Sequence, residues 1–576
     1  MGKQEFVWKV AGAAGEGIMT IGLLFSKTCM RHGLLIFDYT EYSSLIRGGH
    51  NTYQVHAGKD RIYTIESNVD ILVALNKDAI IRHTDELKSD SVVIYDGENK
   101  NVDVKKVKLS AKIQDLPMVR LAKEAGGTEV MANNVALGAS VFLAGLKLEI
   151  LDDVIADVFG DKGEEVIDLN KKAAKAGYDY LKNKTQQLLT VNKEERQLLS
   201  MTGNEAIALG AIAGGLQFFV AYPMTPSSSI LHYLAVNASV AKIVVKHAED
   251  EISAANMAIG ASFAGARAMV ATSGGGFCYM VEALGLSGVA EVPIVFVEVM
   301  RPGPALGLPT WTEQGDLKFV LSASHGEFPR FVFAPGDAQE AFEISRTAQE
   351  LAEKYQVPVI ILSDKYLSES RFTINLKTSV FANKRWRFNT KPKVDESGFY
   401  PRYKPDEDGI SNRTIPGDRE GNYVSNSYVH NAYGLSSEES EDRRAQNDKL
   451  FKKFEKMKLE VPQQSWDVEP GAKITLIAFG STKGVLMKAQ NVLRAKNIPV
   501  NILNLSWIWP FPKEQVNQAI KSSDTVIVVE GNKTGQLADL IAQETGIIIK
   551  NRLNRYDGRP FDYAEIGTYV EKQIKK

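Results

Sequence analysis

The sequence feature that most constrains the fold is an almost purely apolar stretch at residues 293–300. It reads Pro-Ile-Val-Phe-Val-Glu-Val-Met. A strand that does not alternate polar and apolar residues is typical of a sheet buried on both faces, and such sheets are mostly parallel with helices on either side. The stretch therefore predicts a central strand of an α/β domain.

Four successive predicted strands in this region end in polar or loop-forming residues. The strand ends lie at Tyr222, His247, Thr272 and Arg301. Because parallel strands end on one edge of their sheet, the four loops can converge there, at the place where open α/β sheets bind ligands. Taken alone, the first loop, residues 221–229, is better explained as a capped helix start without chemistry, with Pro226 in its first turn.

The chain has 576 residues, which predicts about four domains at ~150 residues each. Alternating strand and helix patterns place α/β units at 1–190, 191–370 and 466–576, the last a small doubly wound domain. Residues 371–465 have poor periodicity and several aromatic residues, and we interpret them as an extended linker or wrap. The charged helical stretch at 164–200 reads as a connector.

Charge and hydropathy exclude several classes of function. The formal net charge is −2, which gives no electrostatic case for a nucleic-acid partner or an anionic membrane surface. No apolar run approaches the ~20 residues that span a bilayer, and the first residues lack the pattern of a signal peptide. We therefore expect a cytoplasmic protein.

The cysteine count limits the redox chemistry of the chain. Only two cysteines occur, Cys29 and Cys278. A Cys-ligated iron–sulfur cluster normally needs about four thiolates. The chain therefore cannot hold such a cluster unaided, and a centre of that kind would have to lie on a partner.

The first unit begins with a glycine-rich turn between a strand and a helix. Gly12-Ala-Ala-Gly-Glu-Gly17 follows the strand at 6–10 and precedes a helix at 18–32. This arrangement can offer backbone N–H groups to a phosphate, but a tight turn explains it equally well. Arg47-Gly-Gly-His-Asn51 could hold an anion or line a surface loop. Later alternation of strands with helices predicts a parallel sheet for this unit.

Taken together, these motifs resemble the alpha subunit of 2-oxoacid:ferredoxin oxidoreductases. The motifs that carry the resemblance are Tyr222-Pro-Met-Thr-Pro-Ser-Ser, Glu249-Asp-Glu251, Thr272-Ser-Gly and Arg301-Pro-Gly-Pro followed by Gly-Leu-Pro-Thr310. The first 190 residues resemble the family's gamma subunit, fused ahead of alpha. The last 110 resemble its transketolase-C-terminal-like domain.

The resemblance implies a thiamine-diphosphate enzyme that reversibly decarboxylates a 2-oxoacid, transfers the acyl group to coenzyme A and reduces ferredoxin. In such enzymes this subunit supplies the pyrimidine-binding domain. A beta subunit holds the diphosphate, its Mg2+ and a 4Fe-4S cluster, which implies an (alpha–beta)2 assembly. The chain lacks a Gly-Asp-Gly…Asn pattern of the sort that holds thiamine's magnesium, and we assign no metal ligand to it.

The resemblance also assigns roles to single residues. A carboxyl group that hydrogen-bonds the aminopyrimidine ring favours its imino tautomer, and Glu251 is our choice for it, with Glu249 as the alternative. Arg301 would bind the substrate carboxylate, assisted by Thr225 and by Thr310. The cofactor-contacting residues would be Tyr222, Pro223, Thr225, Glu251, Thr272, Ser273 and Gly274. Gly15, Gly17, Arg47 and Asn51 are possible contacts of coenzyme A.

The substrate is the most open part of the prediction. The gamma–alpha fusion favours 2-oxoglutarate, converted to succinyl-CoA and CO2, while pyruvate and branched-chain 2-oxoacids remain alternatives. Relatives often carry Ser-Thr or Ala-Thr where Ala305-Leu306 stands, and Pro at the position of Gly275. Leu306 removes a hydroxyl near the presumed substrate site. A non-redox enzyme of the transketolase type and a scaffold protein without activity are the other classes considered.

Overall fold

The computed structural model describes residues 5–44, 48–99, 107–191, 193–196, 198–376, 384–389 and 391–575. The chain forms two compact units. Unit 1 comprises Met1–Met201 with Ser370–Leu376, and unit 2 comprises Thr202–Glu369 with Lys377–Lys576. Among the described residues, no helix is both long and apolar enough to cross a membrane.

Unit 1 is built on an eight-stranded sheet with the order β6-β5-β4-β1-β3-β2-β14-β7. Its strands are β1 (Glu5–Ala13), β2 (Leu35–Glu41), β3 (His50–Gly58), β4 (Val69–Ala74), β5 (Leu87–Tyr95), β6 (Lys112–Asp115), β7 (Leu199–Thr202) and β14 (Arg371–Ile374). Its helices are α1 (Ile18–Arg31), α2 (Lys77–Arg82), α3 (Met118–Glu124), α4 (Ala132–Leu143), α5 (Leu148–Val158) and α6 (Glu164–Lys182).

The prediction of a parallel sheet in unit 1 is wrong, because the sheet is mixed. Strand β3 pairs antiparallel with both β1 and β2, whereas β1, β4, β5 and β6 pair in parallel. The sequence pattern did not predict β3, whose residues read His-Asn-Thr-Tyr-Gln-Val-His-Ala-Gly. The polar residues of β3 obscure the pattern of a strand. His50 and Asn51, predicted to lie in a loop, are the first two residues of β3.

The interpretation of residues 164–200 as a connector is also wrong for its helical part. Helix α6 packs so closely on α4 that two glycines are required. A Cβ atom at Gly138 would lie 1.8 Å from the carbonyl oxygen of Ala174, and one at Gly177 would lie 1.8 Å from that of Val135. Separations below about 3 Å do not occur in real packing, so α6 is part of the core of unit 1.

Unit 2 contains a seven-stranded sheet with the order β18-β12-β13-β11-β10-β8-β9, in which only the edge strand β18 pairs antiparallel. Its strands are β8 (Phe218–Ala221), β9 (Val244–His247), β10 (Ala268–Ser273), β11 (Ile294–Met300), β12 (Phe331–Phe333), β13 (Pro358–Asp364) and β18 (Trp507–Trp509). The helices between them are α7 (Gly203–Ala213), α8 (Ser228–Ala241), α9 (Glu251–Phe263), α10 (Gly274–Val289), α11 (Leu317–Ser322), α12 (Ala338–Tyr355) and α13 (Lys365–Glu369). Every residue of β11 is buried, as its sequence predicts.

A second sheet of unit 2 has five strands in the order β15-β17-β16-β19-β20 and is parallel except for the edge strand β15. The strands are β15 (Ser465–Asp467), β16 (Ile474–Phe479), β17 (Val500–Leu505), β19 (Thr525–Glu530) and β20 (Asn551–Asn554). The accompanying helices are α14 (Ser440–Lys458), α15 (Thr482–Ala495), α16 (Lys513–Lys521), α17 (Gln536–Thr545) and α18 (Tyr563–Ile574).

Buried ion pairs lie at the N-terminal edge of the seven-stranded sheet, where β10, β11 and β13 begin. Glu291, just before β11, pairs with Lys449 and, at 2.5 Å, with Lys453, both on α14. Glu353, near the end of α12, pairs at 2.8 Å with Arg267, which immediately precedes β10. All of these side chains are at most 3% exposed. These ion pairs attach α14 to the start of β11 and α12 to the start of β10.

Candidate active site at the C-terminal edge of the seven-stranded sheet

The loops after β8, β10 and β11 touch one another. Strand β8 ends at Ala221, and the loop that follows contains a cis peptide bond between Thr225 and Pro226. Nη1 of Arg301 donates a hydrogen bond of 2.6 Å to the carbonyl oxygen of Thr225. Oγ1 of Thr272, at the end of β10, lies 3.7 Å from Sδ of Met224.

The loop after β9 brings in Glu251. Asp250 caps helix α9, because its side chain accepts a hydrogen bond of 2.7 Å from the backbone N–H of Ser253. This places Glu251 in the first turn, where it is 7% exposed, whereas Glu249 is exposed. A cap and a first-turn acid suit the positive end of the helix dipole.

Glycine at position 276 allows the Glu251 carboxylate to reach this edge. A Cβ atom at Gly276 would lie 2.1 Å from Oγ1 of Thr272 and 2.7 Å from Oε1 of Glu251. Within the part of the chain that the structure describes, no group hydrogen-bonds the Glu251 carboxylate. A buried carboxylate needs a polar partner, so a ligand with a donor group would complete this site.

The start of α10 is the meeting point of the loops. A Cβ atom at Gly275 would lie 3.5 Å from the carbonyl oxygen of Ala305 and 3.6 Å from Cε of Met224, which is ordinary contact. The side chain of Ser273 is fully buried, and its hydroxyl has no hydrogen-bond partner among the described residues. Gly274 begins the helix against the Asp316 carboxylate, which a Cβ atom there would meet at 2.5 Å.

Arg301 is a buried cation without a carboxylate partner among the described residues. Its side chain makes one hydrogen bond, to the Thr225 carbonyl, and the residue is only 7% exposed. Burial lowers the pKa of its guanidinium from the ordinary value, and the neighbouring Glu298 opposes that shift. The remaining N–H groups of its planar fork fit a carboxylate or phosphate.

Sequence reasoning missed two acids beneath the site, Glu298 and Asp316. Glu298 is fully buried in β11, beside Thr272 of β10, and its oxygens have no hydrogen-bond partner among the described residues. Burial, together with the nearby carboxylates of Asp316 and Asp364, raises the pKa of Glu298 well above its usual range. Burial also raises the pKa of Asp316 to about 6. The one acid in an otherwise apolar strand was the available signal for Glu298.

The other predicted residues of this edge differ in exposure. Tyr222 is 39% exposed, with its ring centroid 6.3 Å from that of His247, and Pro223 is half-buried. Thr310 is 5% exposed, whereas Leu306 is 70% exposed. The Leu306 side chain therefore does not pack into the chain's own interior.

The glycine turn and the loop around residue 50 adjoin each other within unit 1. Gly15 and Gly17 have φ angles of +96° and +73°, which favour glycine. The N–H of Ala14 donates to the carbonyl of Gly49 at 3.3 Å. Asn51 is engaged locally, since its Oδ1 accepts a hydrogen bond of 3.1 Å from the Ser43 N–H. Arg47 lies outside the described residues.

Three family models match successive parts of the chain. Residues 209–446, which contain the site, match the thiamine-diphosphate-binding model of pyruvate flavodoxin/ferredoxin oxidoreductases. Residues 7–180 match the pyruvate ferredoxin/flavodoxin oxidoreductase model, and 472–566 match core domain II of pyruvate:ferredoxin oxidoreductase. The fold and the site thus define a thiamine-diphosphate-binding oxidoreductase chain.

Full-length relatives specify the family. The chain is 33% identical to a 2-oxoacid:ferredoxin oxidoreductase alpha subunit from a Sulfolobus species, covering 99% of this chain and 97% of the relative. The chain belongs to the family of 2-oxoacid:ferredoxin oxidoreductase alpha subunits. The relatives are named as subunits, which implies an enzyme of more than one kind of chain.

Two further relatives are named for a specific substrate. The 2-oxoglutarate synthase subunit KorA of Archaeoglobus fulgidus is 33% identical over 57% of this chain and 87% of its own length. A solved structure of 2-oxoglutarate:ferredoxin oxidoreductase from Magnetococcus marinus, with 2-oxoglutarate, coenzyme A and succinyl-CoA bound, is 32% identical. It superposes with a TM-score of 0.91 and covers 99% of this chain and 100% of that one.

Proposed function

We propose that the chain is the alpha subunit, with a fused gamma portion, of an enzyme that converts 2-oxoglutarate and coenzyme A to succinyl-CoA and CO2 and reduces ferredoxin. The observation that carries this proposal is the likeness over the whole chain to the Magnetococcus marinus enzyme. That enzyme was solved with 2-oxoglutarate, coenzyme A and succinyl-CoA bound. The KorA relatives, named for the same substrate, support it.

The polar groups at the C-terminal sheet edge fit the pyrimidine half of thiamine diphosphate. When bound, the cofactor supplies the nucleophilic carbon for decarboxylation. Glu251, buried and without a hydrogen-bond partner in the described chain, would accept a hydrogen bond from the ring or donate one to it. The burial of Glu251 favours it over Glu249, which is exposed. The walls would be formed by Tyr222, Pro223, Thr225, Thr272, Ser273 and Gly274.

Arg301 would hold the substrate carboxylate. It is the buried guanidinium at this edge, and its hydrogen bond to the Thr225 carbonyl fixes its direction while leaving other N–H groups for a bidentate contact. Thr225 and Thr310 would add hydroxyl contacts. Since the guanidinium is already oriented, little conformational entropy is lost when a 2-oxoacid binds.

The rest of the enzyme would come from partner chains. A beta subunit would hold the diphosphate with Mg2+ and a 4Fe-4S cluster in an (alpha–beta)2 assembly, and it would pass electrons to ferredoxin. The chain's own cysteines support this division, because Cys29 is buried and Cys278 is a single exposed thiol.

Gly15, Gly17, Arg47 and Asn51 would contact coenzyme A. We propose functional segments at 1–190, 191–370, 371–465 and 466–576.

The test is a panel of initial rates with the enzyme purified together with its beta subunit. With coenzyme A and ferredoxin present, kcat/KM for 2-oxoglutarate should exceed that for pyruvate and for branched-chain 2-oxoacids. A higher kcat/KM for pyruvate or for a branched-chain 2-oxoacid would change the proposed substrate and leave the proposed reaction type unchanged. A co-purifying chain without cysteines, with no acceptor reduced, would support the transketolase-type alternative.

The substrate role of Arg301 has a separate test. Arg301→Lys should raise the KM for the 2-oxoacid and leave the KM for coenzyme A unchanged, because lysine keeps the charge and loses the bidentate geometry. Arg196→Lys, an exposed arginine in unit 1, is the control and should change neither KM. Equal changes in both KM values would remove Arg301 from the substrate site.

A further inference from the structure

We propose that Glu5, His56 and Glu66 of unit 1 form a binding site for one divalent transition-metal ion, with Zn2+ as a well-suited occupant. Each residue offers one ligand atom, and the three atoms lie within 4.8 Å of one another. One imidazole and two carboxylates form a donor set that suits Zn2+ and similar ions better than Mg2+ or Ca2+.

The sheet of unit 1 brings these side chains together. Glu5 is the cross-strand neighbour of Gly58 in the antiparallel pair of β1 and β3. His56 lies two residues before Gly58, so its side chain shares that face with Glu5. The amide of Gln54, on the same face, donates a hydrogen bond of 2.7 Å to the Glu66 carbonyl oxygen and anchors the loop that supplies the third ligand.

The hydrogen bonds of His56 favour a cation beside its outer nitrogen. Nδ1 lies 2.7 Å from the Thr64 carbonyl oxygen, which can only accept, so Nδ1 carries a proton. In a neutral ring, Nε2 then presents a lone pair toward the Glu5 carboxylate, 2.6 Å away. That contact is repulsive unless a proton or a metal ion lies between the two atoms. A backbone carbonyl on the inner nitrogen is how metal-binding histidines are commonly oriented.

The distances leave room for an ion after a small movement of Glu5. Two ligands ~2.1 Å from a tetrahedral Zn2+ are ~3.4 Å apart, so the Nε2–Oε1 separation must widen by under ~1 Å. The Glu5 side chain is 44% exposed and can move, whereas His56 is 1% exposed and fixed. The ion would join the loop before β4 to the first strand.

The full chain, freed of metal with a chelator, should be titrated with Zn2+ by calorimetry. We expect one equivalent bound by the wild-type chain, and a loss of at least ~tenfold in affinity for His56→Gln and for Glu66→Gln. Mg2+ should not compete. His325→Gln and Glu98→Gln, which alter exposed residues outside the cluster, should bind Zn2+ like the wild type.

Two further measurements keep the test independent of folding. Zn2+ should raise the unfolding midpoint of the wild-type chain but not that of Glu66→Gln, whose half-exposed side chain can be replaced without loss of fold. Co2+ in place of Zn2+ should give an imidazole-dependent visible absorbance that His56→Gln lacks. Absence of Zn2+ binding by the wild type, or unchanged binding by His56→Gln, would overturn the proposal in favour of an imidazolium–Glu5 ion pair.

Discussion

The two edges of the seven-stranded sheet bury acids in opposite ways. At the N-terminal edge, Glu291 and Glu353 each contact two or more cationic side chains. Burial opposes their ionisation, but the lysines around Glu291 and the arginines around Glu353 hold the pKa of each carboxyl below its usual value. At the C-terminal edge, burial instead raises the pKa of Glu298 and Asp316.

The difference between the two edges is a difference between buried charges that stabilise the fold and buried polar groups that are available to a ligand. A buried charge is costly unless it is paired, so paired carboxylates at one edge hold the segment around α14 in place. At the other edge Arg301 has no acidic partner in the described chain and Glu251 has no hydrogen-bond donor, and both costs are tolerated where a ligand can offset them.

The largest effect is expected from Glu251→Gln. If Glu251 moves or shares a proton with the cofactor ring, 2-oxoacid-dependent reduction of ferredoxin should fall by ~10²–10⁴-fold. The unfolding midpoint should hardly change, because the described chain gives this carboxylate no partner to lose. Glu249→Gln, at the exposed neighbouring acid, is the matched control and should stay active. If Glu249→Gln lost activity and Glu251→Gln did not, Glu249 rather than Glu251 would be the carboxyl that contacts the cofactor ring.

The next largest effect is expected from Glu291→Gln at the opposite edge. Removing this carboxylate leaves Lys449 and Lys453 buried without their counter-ion, which should cost ~3–5 kcal/mol in the free energy of unfolding of unit 2. Urea titration measures that cost. Glu460→Gln, which breaks the half-exposed pair with Lys354, is the control and should cost under ~1 kcal/mol. Equal costs would mean that burial of the pair is unimportant.

The third prediction is that the two edges give opposite pH slopes. Burial raises the pKa of Asp316 from 3.8 to about 6, so its stabilising contribution is present below pH 4 and is lost as the pH rises through 6. Relative to Asp316→Asn, the wild type should therefore lose ~2 kcal/mol between pH 4.5 and 6.5. The pKa of Glu353 is lowered, so relative to Glu353→Gln the wild type should lose stability as the pH falls. Urea titrations at pH 4.5 and 6.5 measure the Asp316 slope, and titrations at pH 3 and 5.5 measure the Glu353 slope, which lies below the ordinary glutamate pKa of 4.5. Slopes of the same sign would contradict the comparison.

The sequence predicts the C-terminal edge of the seven-stranded sheet better than its N-terminal edge. Strand ends carry local signals, so the loops around Tyr222, Thr272 and Arg301 could be predicted to meet, because adjacent parallel strands end together. The N-terminal edge has no such signal. Glu353 and Arg267 are 86 residues apart, and nothing near either of them predicts their pairing. Long-range ion pairs depend on packing that a single sequence does not encode locally.

The errors in unit 1 have the same physical origin. Strand β3 escaped prediction because its buried positions include Thr52, Gln54 and His56, which find partners only in the folded sheet. The packing of α6 depends on Gly138 and Gly177, and a glycine within a helical pattern does not disclose which backbone approaches it. At the site, only motif position separates Glu251 from Glu249 in the sequence, whereas in the structure their exposures differ because Asp250 caps α9 and places Glu251 in its first turn.

The smallest effect is expected from Glu298→Gln. Burial and the neighbouring acids raise the pKa of Glu298 well above its usual range. The folded chain therefore favours the neutral carboxyl, and Glu298→Gln replaces that neutral acid with an amide of similar shape. Activity should fall less than ~tenfold, well below the loss expected at Glu251. The folded wild type retains a proton that the unfolded chain releases, so its stability relative to Glu298→Gln should decline as the pH rises from 5 to 7. Urea midpoints at these two pH values test this, with Glu282→Gln, an acid on α10 with no ion pair in the described chain, as the control. If Glu298→Gln instead became less stable than the wild type at pH 7, Glu298 would be ionised, and Arg301 would be its counter-ion rather than a cation held for substrate.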